Sequence, residues 1–170
     1  MLGKKIEEAL NKQINAELYS SYLYLSMQAY FASENLGGFA NWMGAQMQEE
    51  LLHALKIFDF VNERKGRVLM KAIEQPPSEW KSPLNVFEDT LKHEQKVTNM
   101  INKLSDLAIS EKDHATASFL KWFVDEQVEE EASADKILQQ LQMIKESAGG
   151  LFMLDKELGK RVVKSPTKEE

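Results

Sequence analysis

The chain has 170 residues, 43% of them hydrophobic and 28% charged, with a net charge of -6 and no cysteine. That length supports one sizeable core, while the acidic balance denies it the basic field that nucleic-acid binding requires and points to cations instead. Without thiols, disulfides, iron-sulfur clusters, thiolate zinc sites and cysteine catalysis are all excluded, which leaves carboxylates and imidazoles as metal ligands.

Eight Gly and four Pro punctuate long stretches rich in Leu, Ala, Glu, Lys and Gln, an all-helical composition. The N-terminal Met1-Leu2-Gly3-Lys4-Lys5 leads directly into an amphipathic stretch. There is no apolar run of signal type and none long enough to span a bilayer, so a soluble, cytoplasmic protein without membrane contact is expected. A first helix is predicted over 4–34, closed at Asn35-Leu36-Gly37-Gly38, where glycine can supply a left-handed conformation. A second runs over 38–65 and stops at Gly66. Ser82 and Pro83 suit the cap and first turn of a third helix that reaches Ser110. Asp113 caps a fourth, which continues to Ser147 before Ala148-Gly149-Gly150 breaks it. A short fifth helix over 151–158 completes a single domain at 1–160, and a polar, disordered tail is expected over 161–170.

Short connections make the first two helices, and likewise the third and fourth, antiparallel hairpins. Residues 66–82 can span roughly 55 Å when extended, more than the roughly 40 Å of the preceding helix. The expected architecture is therefore an all-α four-helix bundle with one long crossover and a short fifth C-terminal helix.

Each long helix carries a carboxylate where its apolar period demands a core residue. The first has Leu10, Glu17, Tyr24 and Phe31 on one face, with Gln13 and Met27 alongside. The second has Phe39, Met43, Gln46, Glu50, His53, Ile57 and Phe60. On the third the ladder is Leu84, Phe87, Leu91, Glu94, Thr98, Ile101, Ser105 and Ala108. On the fourth it is Phe119, Phe123, Glu126, Glu130, Ser133, Ile137, Gln140 and Ile144. Counted from a turn near Gly37, Glu17 lies 20 residues before it, with Glu50 and His53 13 and 16 after. Counted from Lys112, Glu94 lies 18 before, with Glu126 and Glu130 14 and 18 after. Both hairpins thus place their acids at mid-height. Each unpaired buried carboxylate costs several kcal/mol, against a domain stability of roughly 5–15 kcal/mol. No Lys or Arg shares the stripe at that height, so protons or cations must compensate. Glutamates with one histidine suit Fe, Mn or Zn, and Glu50-Leu51-Leu52-His53 puts two ligands on one helix face, with Glu50 placed to bridge two metals.

Several of these motifs resemble the ferroxidase-centre motifs of the non-haem ferritins of bacteria and archaea. They are Ala16-Glu17-Leu18-Tyr19-Ser20-Ser21, Glu49-Glu50-Leu51-Leu52-His53, His93-Glu94-Gln95 and Glu126-Gln127-Val128-Glu129-Glu130. The likeness extends through Gly38-Phe39-Ala40-Asn41-Trp42, Pro76-Pro77-Ser78-Glu79-Trp80 and the segment 151–158, essentially the whole chain. It implies the ferritin-like fold, itself the usual example of a bundle with one long crossover. It implies further that Glu17, Glu50 and His53 hold one iron and that Glu50, Glu94 and Glu130 hold a second. Gln127 and Tyr24 would be neighbours, and Glu49, Glu126, Glu129 and Glu130 a third iron site. The implied activity is oxidation of Fe(II) by dioxygen or peroxide, with ferric oxyhydroxide stored inside a cage of twenty-four copies.

The second half of the site reads Gln127-Val128-Glu129-Glu130 rather than a second Glu-x-x-His, which makes the centre asymmetric and suits iron in transit. Leu51 and Leu52 stand where bacterioferritins carry their haem methionine, so no haem is expected. Ala117 and Leu120 align with the acidic pair of animal ferritins. Two other readings remain open at this level: a bare di-iron oxidase or peroxidase of the rubrerythrin type, and a helical interaction protein with an incidental metal site. Tyr24 fits an ordinary core tyrosine or a redox neighbour. Trp42, Trp122, Met27, Met43 and Met47 read as packing, and His93 and His114 as surface residues.

Overall fold

The computed structural model of the chain describes residues 2–145 and 147–164. The helices are α1 (Lys4–Ser33), α2 (Gly37–Glu63), α3 (Pro83–Ser110), α4 (His114–Ile144) and α5 (Ala148–Leu158). No strand occurs among the described residues. Helix α1 packs on α2 and α3 on α4, α1 and α3 join the two hairpins, and α5 sits on α2 and α4. The two expected caps form. Ser82 Oγ accepts from the Asn85 N–H at 3.3 Å ahead of Pro83, and Asp113 Oδ1 accepts from the Thr116 N–H at 3.1 Å.

The helix ends correct one expectation, because no described glycine has a positive φ. Asn35 (58°), Lys65 (57°) and Lys112 (56°) take the positive φ instead, and Lys145 ends α4 with φ 48° and ψ -122°. After α1 the Leu36 N–H donates to Phe31 O and Asn35 N–H to Ala32 O. The same pair of bonds follows α2 at Gly66 and Lys65, and α3 at Asp113 and Lys112. These are Schellman closures, which satisfy the last carbonyls of each helix. The end of α4 is corrected too. The helix stops at Ile144, and Ala148-Gly149-Gly150 is not a break but the first turn of α5, with Ser147 Oγ accepting from the Gly150 N–H at 3.2 Å.

Glycine at position 38 serves close approach. A Cβ there would lie 1.6 Å from the Asp155 carbonyl oxygen of α5. At the same place Asp155 Oδ1 accepts from the Gly38 and Phe39 N–H groups at 2.8 and 3.0 Å. Leu36, at the N-cap of α2, offers no side-chain bond of its own, so α5 supplies the cap from 117 residues away.

Residues 64–82 run along α1. Asn11 Nδ2 donates to Arg67 O and its Oδ1 accepts from the Leu69 N–H. Farther along, Asn15 reaches Ala72 O, Ser26 reaches Pro77 O, and Trp80 packs edge-on against Tyr30. The long crossover is therefore pinned to polar positions of α1 over most of its length. Of the segment expected as a disordered tail, residues 161–164 are described, and 165–170 lie outside the described residues.

The apolar interior forms two clusters. One gathers Tyr24, Met27, Phe31, Phe39, Met43, Phe87 and Ile137; the other gathers Leu10, Ile14, Ile57, Val61, Val97, Ile101 and Phe123. Both Trp42 and Met43 belong to the first cluster, as packing residues should. Between them lies a polar layer.

Candidate metal centre

Five potential ligands and Gln127 meet in that layer. Glu17 comes from α1, Glu50 and His53 from α2, Glu94 from α3, and Gln127 and Glu130 from α4; all are buried. Helical spacing places them there: each acid stands midway between two apolar core residues two turns above and below, Leu10 and Tyr24 around Glu17, Met43 and Ile57 around Glu50, Phe87 and Ile101 around Glu94, and Phe123 and Ile137 around Glu130. On α4 the buried face is rotated by about one residue from the expected stripe. It runs Leu120, Phe123, Gln127, Glu130, Ala134, Ile137 and Leu141, leaving Glu126 half-buried at the rim. On α3 the fully buried residues are Val86, Phe87, Thr90, Glu94, Val97, Ile101, Leu104 and Ala108, with Leu84, Leu91, Thr98 and Ser105 at its edge.

Three sets of ligand atoms lie within 4.8 Å of one another: Glu17 with Glu50 and His53, Glu50 with Glu94 and Glu130, and His53 with Glu126 and Glu130. Glu50 belongs to the first two sets, and Glu130 joins the second to the third. His53 Nδ1 is 3.4 Å from Glu50 Oε2, and its Nε2 is 3.9 Å from Glu130 Oε1. Trp122 and Phe123 present themselves edge-on to the imidazole at 5.3 and 6.0 Å between centroids.

Neutral donors orient these acids. Gln13 Nε2 donates to Glu17 Oε1 at 2.7 Å, and Gln46 Nε2 donates to both Glu50 Oε1 (3.0 Å) and Glu130 Oε2 (2.9 Å). The Tyr24 hydroxyl donates to Glu94 Oε1, while Gln127 Nε2 reaches Glu94 Oε2 and Thr98 Oγ1 at 3.3 and 3.2 Å. Amides and a phenol fix direction without cancelling charge. No described Lys or Arg bonds to Glu17, Glu50, Glu94 or Glu130.

Burial raises all four carboxyls above the usual range, Glu50 and Glu130 well above it, with neighbouring acids adding to both. Burial, and then the charge of Glu94, also holds the Tyr24 phenol well above its ordinary value, so it remains a donor. Glu17 Oε2 is buried and bonds to nothing. An orphaned acceptor next to an imidazole and a second acid, in a layer short of positive charge, fits a divalent cation such as iron.

A family model described as a ferritin-like domain matches residues 7–144. The chain belongs to the ferritin family. It is 44% identical over 161 residues to the bacterial non-heme ferritin of Bacteroides fragilis, covering 95% of this chain and 100% of that protein. Against the bacterial non-heme ferritin of Staphylococcus saprophyticus the identity is also 44%, over 95% and 96% of the two chains. Among solved structures, an engineered closed form of the Archaeoglobus fulgidus ferritin superposes with a TM-score of 0.95 at 57% identity, over 96% of this chain and 100% of the other. The open-pore ferritin of the same archaeon likewise gives 0.95 and 57%, over 95% and 100%.

Beside the buried layer of this ferritin fold, a cavity of about 410 Å³ opens between α2, α4 and α5, lined by Gln46, Glu49, Glu126, Glu129 and Glu130. Glu49 and Glu129 belong to none of the three ligand sets; basic groups from beyond α5 bond to them. Sequence reasoning passed over Gln46, which stood in the predicted stripe but looked like filler, and Gln13 and Thr98 likewise. His93 corrects the surface assignment. It packs between Tyr19 and Tyr24 and bonds to Ser20 Oγ at 2.8 Å, and burial lowers its pKa to about 4. His114 is exposed, as expected. No described helix is long and apolar enough to cross a membrane.

Proposed function

We propose that this chain is a cytoplasmic iron-storage ferritin, which oxidises Fe(II) at the buried layer and keeps the product as ferric oxyhydroxide inside a hollow shell of twenty-four copies. The observation that carries the reading is the pair of ligand sets sharing Glu50, one of them holding the unpartnered Glu17 oxygen. Glu17, Glu50 and His53 take one Fe(II), and Glu50, Glu94 and Glu130 the other, displacing the protons that burial favours there. Two Fe(II) release two electrons, which with two protons reduce dioxygen to hydrogen peroxide, or hydrogen peroxide to two waters. Four carboxylates favour the higher charge of Fe(III).

The chain's own groups set geometry. Gln46 holds Glu50 and Glu130 at a common angle, Gln13 holds Glu17, and Tyr24 with Gln127 holds Glu94. Tyr24 also lies close enough to serve as a one-electron donor. Because Gln127 takes the place of a stronger ligand, the Glu94–Glu130 side binds the oxidised ion less firmly. Glu126, Glu129 and Glu49 form an onward iron position with Glu130, opening on the cavity. Phe152 and Met153, 71% and 74% exposed on α5, supply apolar surface for contacts between copies. The pore named for the Archaeoglobus fulgidus relative also supports a hollow assembly.

Glu50→Ala with His53→Ala is the test. The initial rate of aerobic Fe(II) oxidation is expected to collapse in that variant, and an unchanged rate would remove the centre.

A further inference from the structure

The chain brings two of its own cations to the acids of the cavity beside the centre, and they are held very differently. As the chain leaves α5, Asn41 Nδ2 donates to Leu158 O and Arg161 O, at 3.3 and 2.9 Å. The Arg161 guanidinium lies on the Trp42 ring, 4.2 Å from its centroid. It also donates to Trp42 O at 3.4 Å, to Gln46 Oε1 at 2.7 Å and to Glu49 Oε2. Its side chain is only 20% exposed, and Glu49's is 7%. Backbone, stacking and charge together fix it in place. Three residues later the Lys164 N–H donates to Glu49 Oε1 at 2.7 Å, and its Nζ reaches Glu129 Oε2 at 2.8 Å. That ion pair is 71% and 61% exposed. Exposed pairs of this kind contribute little.

Arg161 also connects to the buried layer. Gln46 accepts from Arg161 through Oε1 while donating through Nε2 to Glu50 and Glu130. An amide has one acceptor and one donor end, so the arginine fixes which way round it sits. Gln46 is thereby held with its donor facing the acids.

We infer that residues 161–164 form a cationic strap over the cavity, anchored by Arg161, in which Lys164 occupies Glu129 and Glu49 until a divalent cation arriving among Glu49, Glu126, Glu129 and Glu130 displaces it. This rests on the reading of those acids as an onward cation position. A divalent ion that meets several carboxylates at once outcompetes a monovalent ammonium bonded to one of them and largely in water. Arg161 stays, because its contacts to Trp42 and Gln46 do not involve the incoming ion. The strap then gives the position an adjustable affinity: iron pausing there lifts the lysine, and iron leaving lets it return to Glu129.

Anaerobic calorimetric titration of the assembled protein with Zn(II), at neutral pH and low salt, tests the strap. Wild type is expected to show tight binding at the two sets that share Glu50, followed by a weaker event at the rim. In Lys164→Ala the rim event tightens by about two- to fivefold, the worth of one exposed pair, while the tight events stay unchanged. Hydrogen exchange supplies the independent readout, since saturating Zn(II) should accelerate exchange of the wild-type Lys164 amide. Rim binding indifferent to Lys164→Ala, or an amide equally protected with and without Zn(II), overturns the strap. Glu126→Ala separates the two layers of the inference. A rim event that survives it overturns the onward position and the strap together, whereas one that it abolishes, yet Lys164→Ala leaves alone, overturns the strap only.

Discussion

Glu50→Gln is expected to stabilise the metal-free protein while abolishing its chemistry. Glu50 is 1% exposed and supplies ligand atoms to both sets. Burial first, then the charges of Glu94 and Glu17, raise its carboxyl well above the ordinary range. The substituted amide keeps an oxygen for the Gln46 donor, now 3.0 Å away, so the change removes the ionisable group without orphaning that donor. Relief of one buried, uncompensated acid is worth about 1–3 kcal/mol at neutral pH. With each kcal/mol shifting Tm by about 2–4 °C in a domain of this size, the metal-free variant should melt roughly 2–12 °C above wild type. The pH dependence carries a definite sign. A carboxyl whose folded pKa is raised adds stability below its unfolded value, about 4.3, and loses it as pH climbs through the folded value. The gap between variant and wild type should therefore widen from pH 5 to pH 8. Zn(II) at a hundred times its dissociation constant adds about 2.7 kcal/mol to wild type and less to the variant, which has lost the shared ligand. Scanning calorimetry on chelator-treated and zinc-loaded protein measures all of this, and stopped-flow Fe(II) oxidation should fall by more than about a hundredfold. A metal-free variant that melts below wild type at pH 7, or that oxidises Fe(II) at the wild-type rate, would refute the reasoning.

Gln46→Leu removes the donor shared by Glu50 and Glu130, and anaerobic Zn(II) titration should show affinity for the pair of sets down by about 10- to 100-fold with the fold unchanged by circular dichroism. Gly38→Ala drives a Cβ into the Asp155 carbonyl; α5 must lift, both bonds from Asp155 to the start of α2 go, and a loss of about 2–4 kcal/mol should appear in thermal melts together with smaller species on size exclusion. His93 has its folded pKa lowered from 6.5 to about 4, so wild-type stability should fall as pH drops from about 6.5 towards 4, by on the order of 3 kcal/mol. In His93→Gln, which can still bond to Ser20, that part of the acid limb should vanish from pH-dependent melts.

The buried acids were legible because each interrupts an apolar period: Glu17 between Leu10 and Tyr24, Glu50 between Met43 and Ile57, Glu94 between Phe87 and Ile101. Periodicity sees a departure in polarity, which is why Gln46 and Gln13 escaped notice. A neutral amide in a stripe looks like filler until its partner on another helix is known. A one-residue rotation of the α4 face is beyond what a pattern of 3.6 residues resolves when Glu126, Gln127, Glu129 and Glu130 are all polar. The left-handed residue after α1 is Asn35 rather than a glycine, because backbone freedom alone does not say where packing needs a missing side chain. Gly38 is small for the Asp155 backbone, while Asn35 and the lysines at 65 and 112 take the left-handed turns. Arg161 and Lys164 lie 112 and 115 residues from Glu49, and no periodic signal links a polar tail to a helix at that distance.

Aerobic loading of the purified, metal-free protein with excess Fe(II), followed by removal of free iron and a count of Fe per subunit, tests the central claim most directly. A layer that passes oxidised iron onward to a cavity predicts many more ions per subunit than the two or three its ligand sets can hold, and a sharp reduction in Glu50→Ala with His53→Ala. Retention of only two or three iron ions per subunit, however long the loading, would mean a fixed cofactor and contradict storage.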